Sequence, residues 1–238
     1  MLLEHFDPTF SAVFDPEDLV APVPDMPKTA VCCFSRAAFE HMAQRWQGDV
    51  IAKTGSANGE TPVYRLRNAQ EATALALLPV GAAACAGTAE ELFAMGAETL
   101  VVFGSCGVLD ERAAGAAVIL PTFAMRDEGT SYHYAPSEQE IEVNLRYRTV
   151  FADLLRERKL AFVSGKTWTT DAFYRATVKK MTQRKAMGCI CMDMECSALA
   201  AVAAFRHKEV FQFFHDPERL PAQQAALLAM ELAERMKG

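Results

Sequence analysis

The order of apolar runs constrains this chain more than any other feature. After an opening stretch, short strand-like runs alternate with longer segments that carry helix signals, almost to the last residue. "KTAVCCF" (28–34) reads as a strand. "SRAAFEHMAQRW" (35–46) reads as a helix capped by Ser35, whose hydroxyl can accept from a free first-turn N–H. "ETPVYRLRN" (60–68) and "ATALALLPV" (72–80) are strand candidates, and "AGTAEELFAMGA" (86–97) is a helix closed by Gly96. Further strands are expected at "TLVVFGSCG" (99–107), "AAVILPTFAM" (116–125), "AFVSGKTW" (161–168), "GCIC" (188–191) and "EVFQFFH" (209–215). Helices are expected over 143–155, over most of 172–186, after "MDMEC" (192–196), and over 221–237. Such alternation predicts a layered α/β fold with a largely parallel or mixed sheet. Ligands then gather at the carboxyl ends of strands.

At 238 residues the chain suits a single domain, with 1–27 as an irregular arm rich in Pro, Asp and Phe. It buries enough surface to need no disulfide staples. The formal charge of −6 comes without a basic stripe, which argues against nucleic-acid binding. The start, "MLLEHFDPTF", lacks a basic region followed by an apolar run, and no transmembrane run follows, so a cytoplasmic protein without membrane contact is expected. The seven cysteines lie in apolar segments without zinc-like spacing, so no metal site is expected and they read as small buried hydrophobes.

Four segments follow strands: "GSCG" (104–107), "RDEGTSYHY" (126–134), "TTDAFY" (169–174) and "MDMEC" (192–196). The last places Asp193 and Glu195 among methionines at a junction that reads as buried. A carboxylate there is costly unless it is compensated. It is either a stabilising first-turn acid or a ligand contact, and spacing alone leaves both open. Gly104, Ser105 and Gly107 either cradle an anion or make a tight turn.

Together, "VVFGSCGVL", "RDEGTSYHYAP", "TTDAFY" and "MDMECSALAAVAAF" resemble, in order and spacing, the purine and uridine phosphorylase superfamily over about residues 28–215. The resemblance implies a three-layer α/β/α sandwich around a central mixed β-sheet, nucleoside phosphorylase-like. It implies phosphate-dependent cleavage of a nucleoside to free base and (deoxy)ribose 1-phosphate. No cofactor is implied beyond phosphate as co-substrate, and a homodimer or hexamer is expected. Carried over by position, Glu195 would accept from ribose hydroxyls and Met194 would pack on the sugar. Phe173 and Met192 would flank the base. Arg36, Gly104 and Ser105 would hold phosphate, and Asp216 would assist the leaving base.

Four positions depart from the family pattern. "CCFSR" stands where the family often has a Gly-Asp-Pro turn before the phosphate Arg, and Val102 stands for a second phosphate Arg. Thr177 and Lys179 occupy the places of the Gln and Arg that read uracil in uridine phosphorylases. Asp216, in "FFHDPERL", equally suits a helix cap with Pro217 as the first helical residue. Hydrolysis by water, or nucleoside binding without turnover, are the alternative readings. Arg126 either compensates at the phosphate or anchors its own loop, and His133 either approaches the ligand or packs in that loop.

Overall fold

A computed structural model describes residues 5–57, 59–67 and 72–236. Residues 1–4 of the expected arm, Asn68 at the end of one expected strand and Lys237 at the end of the closing helix lie outside the described residues. The strands are β1 (Thr29–Cys33), β2 (Asp49–Ser56), β3 (Gly59–Leu66), β4 (Thr73–Leu77), β5 (Thr99–Gly104), β6 (Gly107–Val108), β7 (Val118–Asp127), β8 (Glu140–Glu142), β9 (Phe162–Thr170), β10 (Cys189–Asp193) and β11 (Glu209–His215). The helices are α1 (Arg36–Arg45), α2 (Ala82–Met95), α3 (Arg148–Glu157), α4 (Val178–Ala186), α5 (Cys196–Phe205) and α6 (Ala222–Arg235).

All strands join one mixed sheet in the order β2-β3-β4-β1-β5-β11-β7-β9-β10-β6, with β8 beside β7. Strand β1 runs parallel to β4 and β5, and β11 parallel to β5. Strands β7, β9 and β10 form a second parallel set. The two sets meet antiparallel through Phe214–Ile119 and His215–Val118. Strand β6 follows β5 after two residues and pairs antiparallel with the end of β10, Met192 opposite Gly107. That short link brings the end of β5 to the end of β10, though the strands belong to opposite sets.

Helices α1, α3 and α6 cover one face through Phe39, Met42, Phe151, Leu154, Leu155 and Leu232, all buried against β-branched and aromatic residues such as Val31 and Phe213. Helices α2 and α5 cover the other through Leu92, Phe93, Leu199 and Val202. Burying a side chain of this size stabilises by roughly 1.5–3 kcal/mol. The expected three layers are present. Ser35 caps α1 by accepting from Ala38 N–H at 3.3 Å, and Gly96 closes α2 in the left-handed region at φ 119°.

Several boundaries differ from the sequence reading. Strands β2 and β8 were not expected, and α2 begins at Ala82 rather than residue 86. Val143 precedes α3, which starts at Arg148. Arg126 and Asp127 belong to β7 rather than to the loop after it. Among residues 5–27 the only regular element is a 3-10 turn at Pro16–Asp18, and the segment is tied down by Val23 N–H donating to Met95 O at 2.9 Å. Among the described residues no helix is long and apolar enough to cross a membrane.

Candidate active site

The ends of β5 and β10 and the turn after β4 enclose a cavity of about 270 Å³ lined by Phe34, Val80, Ser105, Cys106, Gly107, Phe173, Met192, Asp193, Met194 and Glu195. Seven of the residues singled out from the sequence thus meet in one place: Ser105, Gly107, Phe173, Met192, Asp193, Met194 and Glu195. The reason is topological. Each lies at or just past the end of β5, β9 or β10, and the β5–β6 link draws the ends of β5 and β10 together.

The two acids have different work. Asp193 is buried and saturated. Its Oδ1 accepts from the N–H groups of Glu195 (2.8 Å) and Cys196 (2.7 Å). Its Oδ2 accepts from the hydroxyls of Thr167 (2.6 Å) and Thr169 (3.1 Å). Burial raises its pKa and the four donors oppose that rise. Asp193 therefore caps the first turn of α5 and ties it to β9. Thr169 Oγ1 also accepts from Ser197 N–H at 3.2 Å, and the Ser197 hydroxyl donates to Glu128 at 2.9 Å.

Glu195 is the open one. It is 6% exposed, and its Oε1 accepts the Gly81 N–H at 2.7 Å. Burial lifts its pKa to about 7, with the Gly81 bond pulling the other way and the Asp193 charge adding to the rise. A carboxylate balanced near neutrality on a cavity wall can accept from paired hydroxyls or exchange a proton. Phe173, 43% exposed, faces the same cavity from a 3-10 turn at Phe173–Arg175.

Gly104 lies at the buried end of β5, where a Cβ would sit 2.8 Å from the Phe34 ring. Its absence of side chain thus serves close packing against Phe34, in the segment that replaces the family's Gly-Asp-Pro turn. Arg36 does not line this cavity. It opens instead onto a neighbouring cleft.

Asp216 does not line the cavity either. Its Oδ1 accepts Glu218 N–H at 2.9 Å, and its carboxylate lies 3.3 Å from Arg219. It closes a turn over 216–220, while α6 starts later, at Ala222. The helix-cap reading does not hold, because the chain turns before it becomes helical. The neighbouring His215 is buried, with Nδ1 2.7 Å from Leu220 O.

Arg126 anchors its own loop. It donates to Ser131 Oγ (2.8 Å) and to the carbonyls of Ala135, Pro136 and Glu138, and stacks on Tyr132 at 4.1 Å. His133 is exposed, on the far side of that loop near the N-terminal arm. All seven cysteines are free thiols, and burial pushes those of Cys33 to about 12 and Cys189 to about 11, well out of the reactive range. Among the described residues no three His, Cys, Asp or Glu side chains gather into a metal-binding group. Sequence reasoning missed Phe34, Val80 and Gly81. The available signal was the glycine closing "LLPVG" at a strand end.

A mixed sheet clad on both faces by helices places the chain in the layered α/β class. The sequence profile of the phosphorylase superfamily matches residues 28–213, and the chain belongs to that family. A search of curated proteins finds no match. Among solved structures, uridine phosphorylase from Vibrio fischeri superposes with TM-score 0.79 at 18% identity, covering 90% of this chain and 95% of that one. AMP nucleosidase from Bacteroides thetaiotaomicron gives 0.76 at 17% identity, covering 90% of each chain. The 5′-methylthioadenosine/S-adenosyl homocysteine nucleosidase of Campylobacter jejuni gives 0.73 at 16%, covering 87% and 99%. At such identities these likenesses concern the fold.

Proposed function

We propose that the chain cleaves the N-glycosidic bond of a nucleoside and releases the free base. The observation that carries this reading is Glu195, a buried carboxylate on the wall of a cavity whose other walls are Met192, Met194 and Phe173. Two vicinal sugar hydroxyls are directional donors that would satisfy the acid. The methionines give the sugar an adaptable apolar wall, and Phe173 gives a planar base a ring to stack on. Breaking the C–N bond builds oxocarbenium-like charge on the sugar. Negative charge at Glu195, backed by Asp193, favours that charge where it develops.

The lining also bears on the nucleophile. It holds two carboxylates and, among the described residues, no Lys, Arg or His. A phosphate dianion entering there would meet repulsion without a compensating cation, whereas water would not. The charge balance therefore supports hydrolysis over phosphorolysis. Phosphorolysis is the second reading, favoured by Ser105 and Gly107 of the turn after β5, which line the same cavity. The nucleosidases and the uridine phosphorylase among the structural relatives represent both outcomes. The proposed chemistry uses no organic cofactor. A homodimer or hexamer in the cytoplasm remains part of the proposal, and light scattering tests the assembly.

The deciding experiment incubates the enzyme with inosine, adenosine and uridine, with and without phosphate, and follows base release and the sugar product. Equal base release in both conditions, with free ribose, is expected. Ribose 1-phosphate formed only with phosphate would select the second reading. Saturable binding without any base release would overturn cleavage altogether.

A further inference from the structure

The cleft beside the candidate active site is larger, about 480 Å³, and lies between the β2–β3 hairpin, the start of α1 and the outer side of α2. We infer that it is a second ligand subsite, built for a zwitterionic group of the α-amino-acid kind. This goes beyond the cleavage reading and does not depend on it.

Of the three charged residues of the lining, Glu60 is paired with Lys53 at 2.6 Å, and the other two, Arg36 and Glu91, carry the inference. Arg36 occupies the first position of α1 and has no hydrogen-bond or ion-pair partner among the described residues. A cation at that end of a helix faces the positive pole of the helix dipole, so nothing local favours it there. An anion in the cleft would. Opposite in sign stands Glu91. Gly55 N–H donates to its carboxylate, but Oε2 is buried without any hydrogen-bond partner. A buried carboxylate oxygen left unsatisfied is destabilising, and a donor from a ligand would recover that loss.

Hydroxyl groups supply the rest. Thr54 and Thr61 face one another across the β2–β3 ladder and both line the cleft. Thr88 donates its own proton to Ala84 O at 3.2 Å, which leaves its oxygen free to accept.

The ligand class follows by elimination on charge. A phosphate ion would satisfy Arg36, but its one to two negative charges would repel the Glu91 carboxylate. A simple amine would satisfy Glu91 but would leave Arg36 uncompensated. A group carrying a carboxylate and an ammonium together satisfies both, and its polar side chain or backbone can reach the threonines. The cleft adjoins the nucleoside-sized cavity along the chain, since Phe34 and Val80 line one while Arg36 and Pro79 line the other. The zwitterion is therefore either a free amino acid or the polar end of a longer ligand.

Isothermal titration of the full chain with L-serine, L-homoserine, ethanolamine and inorganic phosphate tests the assignment. Saturable binding of the two amino acids is expected, at least about tenfold tighter than that of ethanolamine or phosphate. Arg36→Gln and Glu91→Gln should each weaken it about tenfold or more, with circular dichroism confirming that both variants fold. Glu195→Gln should bind the amino acids unchanged, which separates this subsite from the nucleoside cavity. Phosphate binding as tightly as the amino acids, amino-acid binding unaffected by Glu91→Gln, or no amino-acid binding would each overturn the proposal. Full occupancy by L-serine alone with no effect on nucleoside turnover would support the free amino acid as the occupant.

Discussion

The backbone N–H of Gly81 donates to Glu195 Oε1 at 2.7 Å, bridging 114 residues of sequence. The contact joins the turn after β4 to the turn after β10 and fixes one carboxylate oxygen of the proposed sugar acceptor. Replacing Glu195 by Gln keeps the size and the Gly81 bond but removes the charge. The expected outcome is an intact fold and a fall in kcat/KM of about 10²-fold or more, equivalent to ~3 kcal/mol of lost charge-assisted contact. Steady-state kinetics on the best nucleoside, beside a thermal melt, checks this. An unchanged rate with a lowered Tm would make Glu195 a helix-end acid only.

The charge state of Glu195 also sets a pH dependence. Its folded pKa, about 7, is raised above that of an unfolded glutamate because burial disfavours the ion. The stability it contributes is fully present below the unfolded value of about 4.3 and is lost as pH rises through about 7. Between pH ~4.3 and ~7 the Tm of the wild type should therefore fall more steeply than that of Glu195→Gln. Acceptance of sugar hydroxyls needs the ion, so nucleoside affinity should climb over that same interval. Parallel slopes of Tm against pH in the two proteins would refute the assignment.

Gly81 holds φ 101° and ψ 136°, a conformation that only glycine adopts without strain. A Cβ there would meet no atom within 4 Å, so the cost of Gly81→Ala is conformational rather than steric. It should destabilise by about 1–3 kcal/mol. If the turn relaxes, the N–H swings away from Glu195 and the carboxyl pKa rises further. The kcat/KM profile of Gly81→Ala should then shift to higher pH, which a purely structural loss would not produce.

What could be read from the sequence divides along physical lines. Elements with strong periodicity and a chemical punctuation mark were legible, such as α1 with Ser35 and α2 with Gly96. Strand β2, "DVIAKTGS", was not, because it lies at the sheet edge and is mostly exposed, so it carries no apolar alternation. The first turn of α2 was hidden because its cap, Gly81, has no side-chain oxygen to announce it. Val143 carries helix-like spacing into α3, yet it is buried against the core from the segment that precedes the helix. Within the site, Glu195, Met194, Phe173 and Ser105 stood out because each follows a strand. Phe34 and Val80 carry no chemical mark and enter the cavity only through the packing of the sheet. Arg36 and Ser105 line different cavities, a separation that one-dimensional spacing does not encode.

Asp193 makes the opposite prediction to Glu195. Its carboxylate accepts four donors and, though it lines the cavity, has little capacity left for a ligand. An Asn at this position keeps one acceptor oxygen and turns an amide donor toward two of those donors. The expected loss is about 3 kcal/mol or more of stability, since buried charge-assisted bonds are broken and donors are left unpaired. Urea denaturation of Asp193→Asn should show a lowered midpoint. A stable Asp193→Asn with lost turnover would move the catalytic role from Glu195 to Asp193.

Asp216 is the sharpest point of difference between family position and structure. By resemblance it stands where purine enzymes of the superfamily keep the acid that assists the leaving base. In this chain its carboxylate is engaged locally, by Glu218 N–H at 2.9 Å and by Arg219 at 3.3 Å, and it does not line the cavity beside Glu195. Asn closes such turns about as well as Asp, since both present a side-chain oxygen to a following N–H. The pair with Arg219 is largely exposed and contributes about 0–1 kcal/mol. Asp216→Asn should therefore leave Tm nearly unchanged and leave kcat/KM for inosine and adenosine at the wild-type level. A general acid would behave otherwise. Its loss should slow ordinary purine nucleosides by about 10²–10⁴-fold and should slow nucleosides with good leaving groups much less. Measuring both substrate types on the same variant separates the cases. A selective loss on inosine and adenosine would mean that the 216–220 turn opens during turnover and delivers Asp216 to the base.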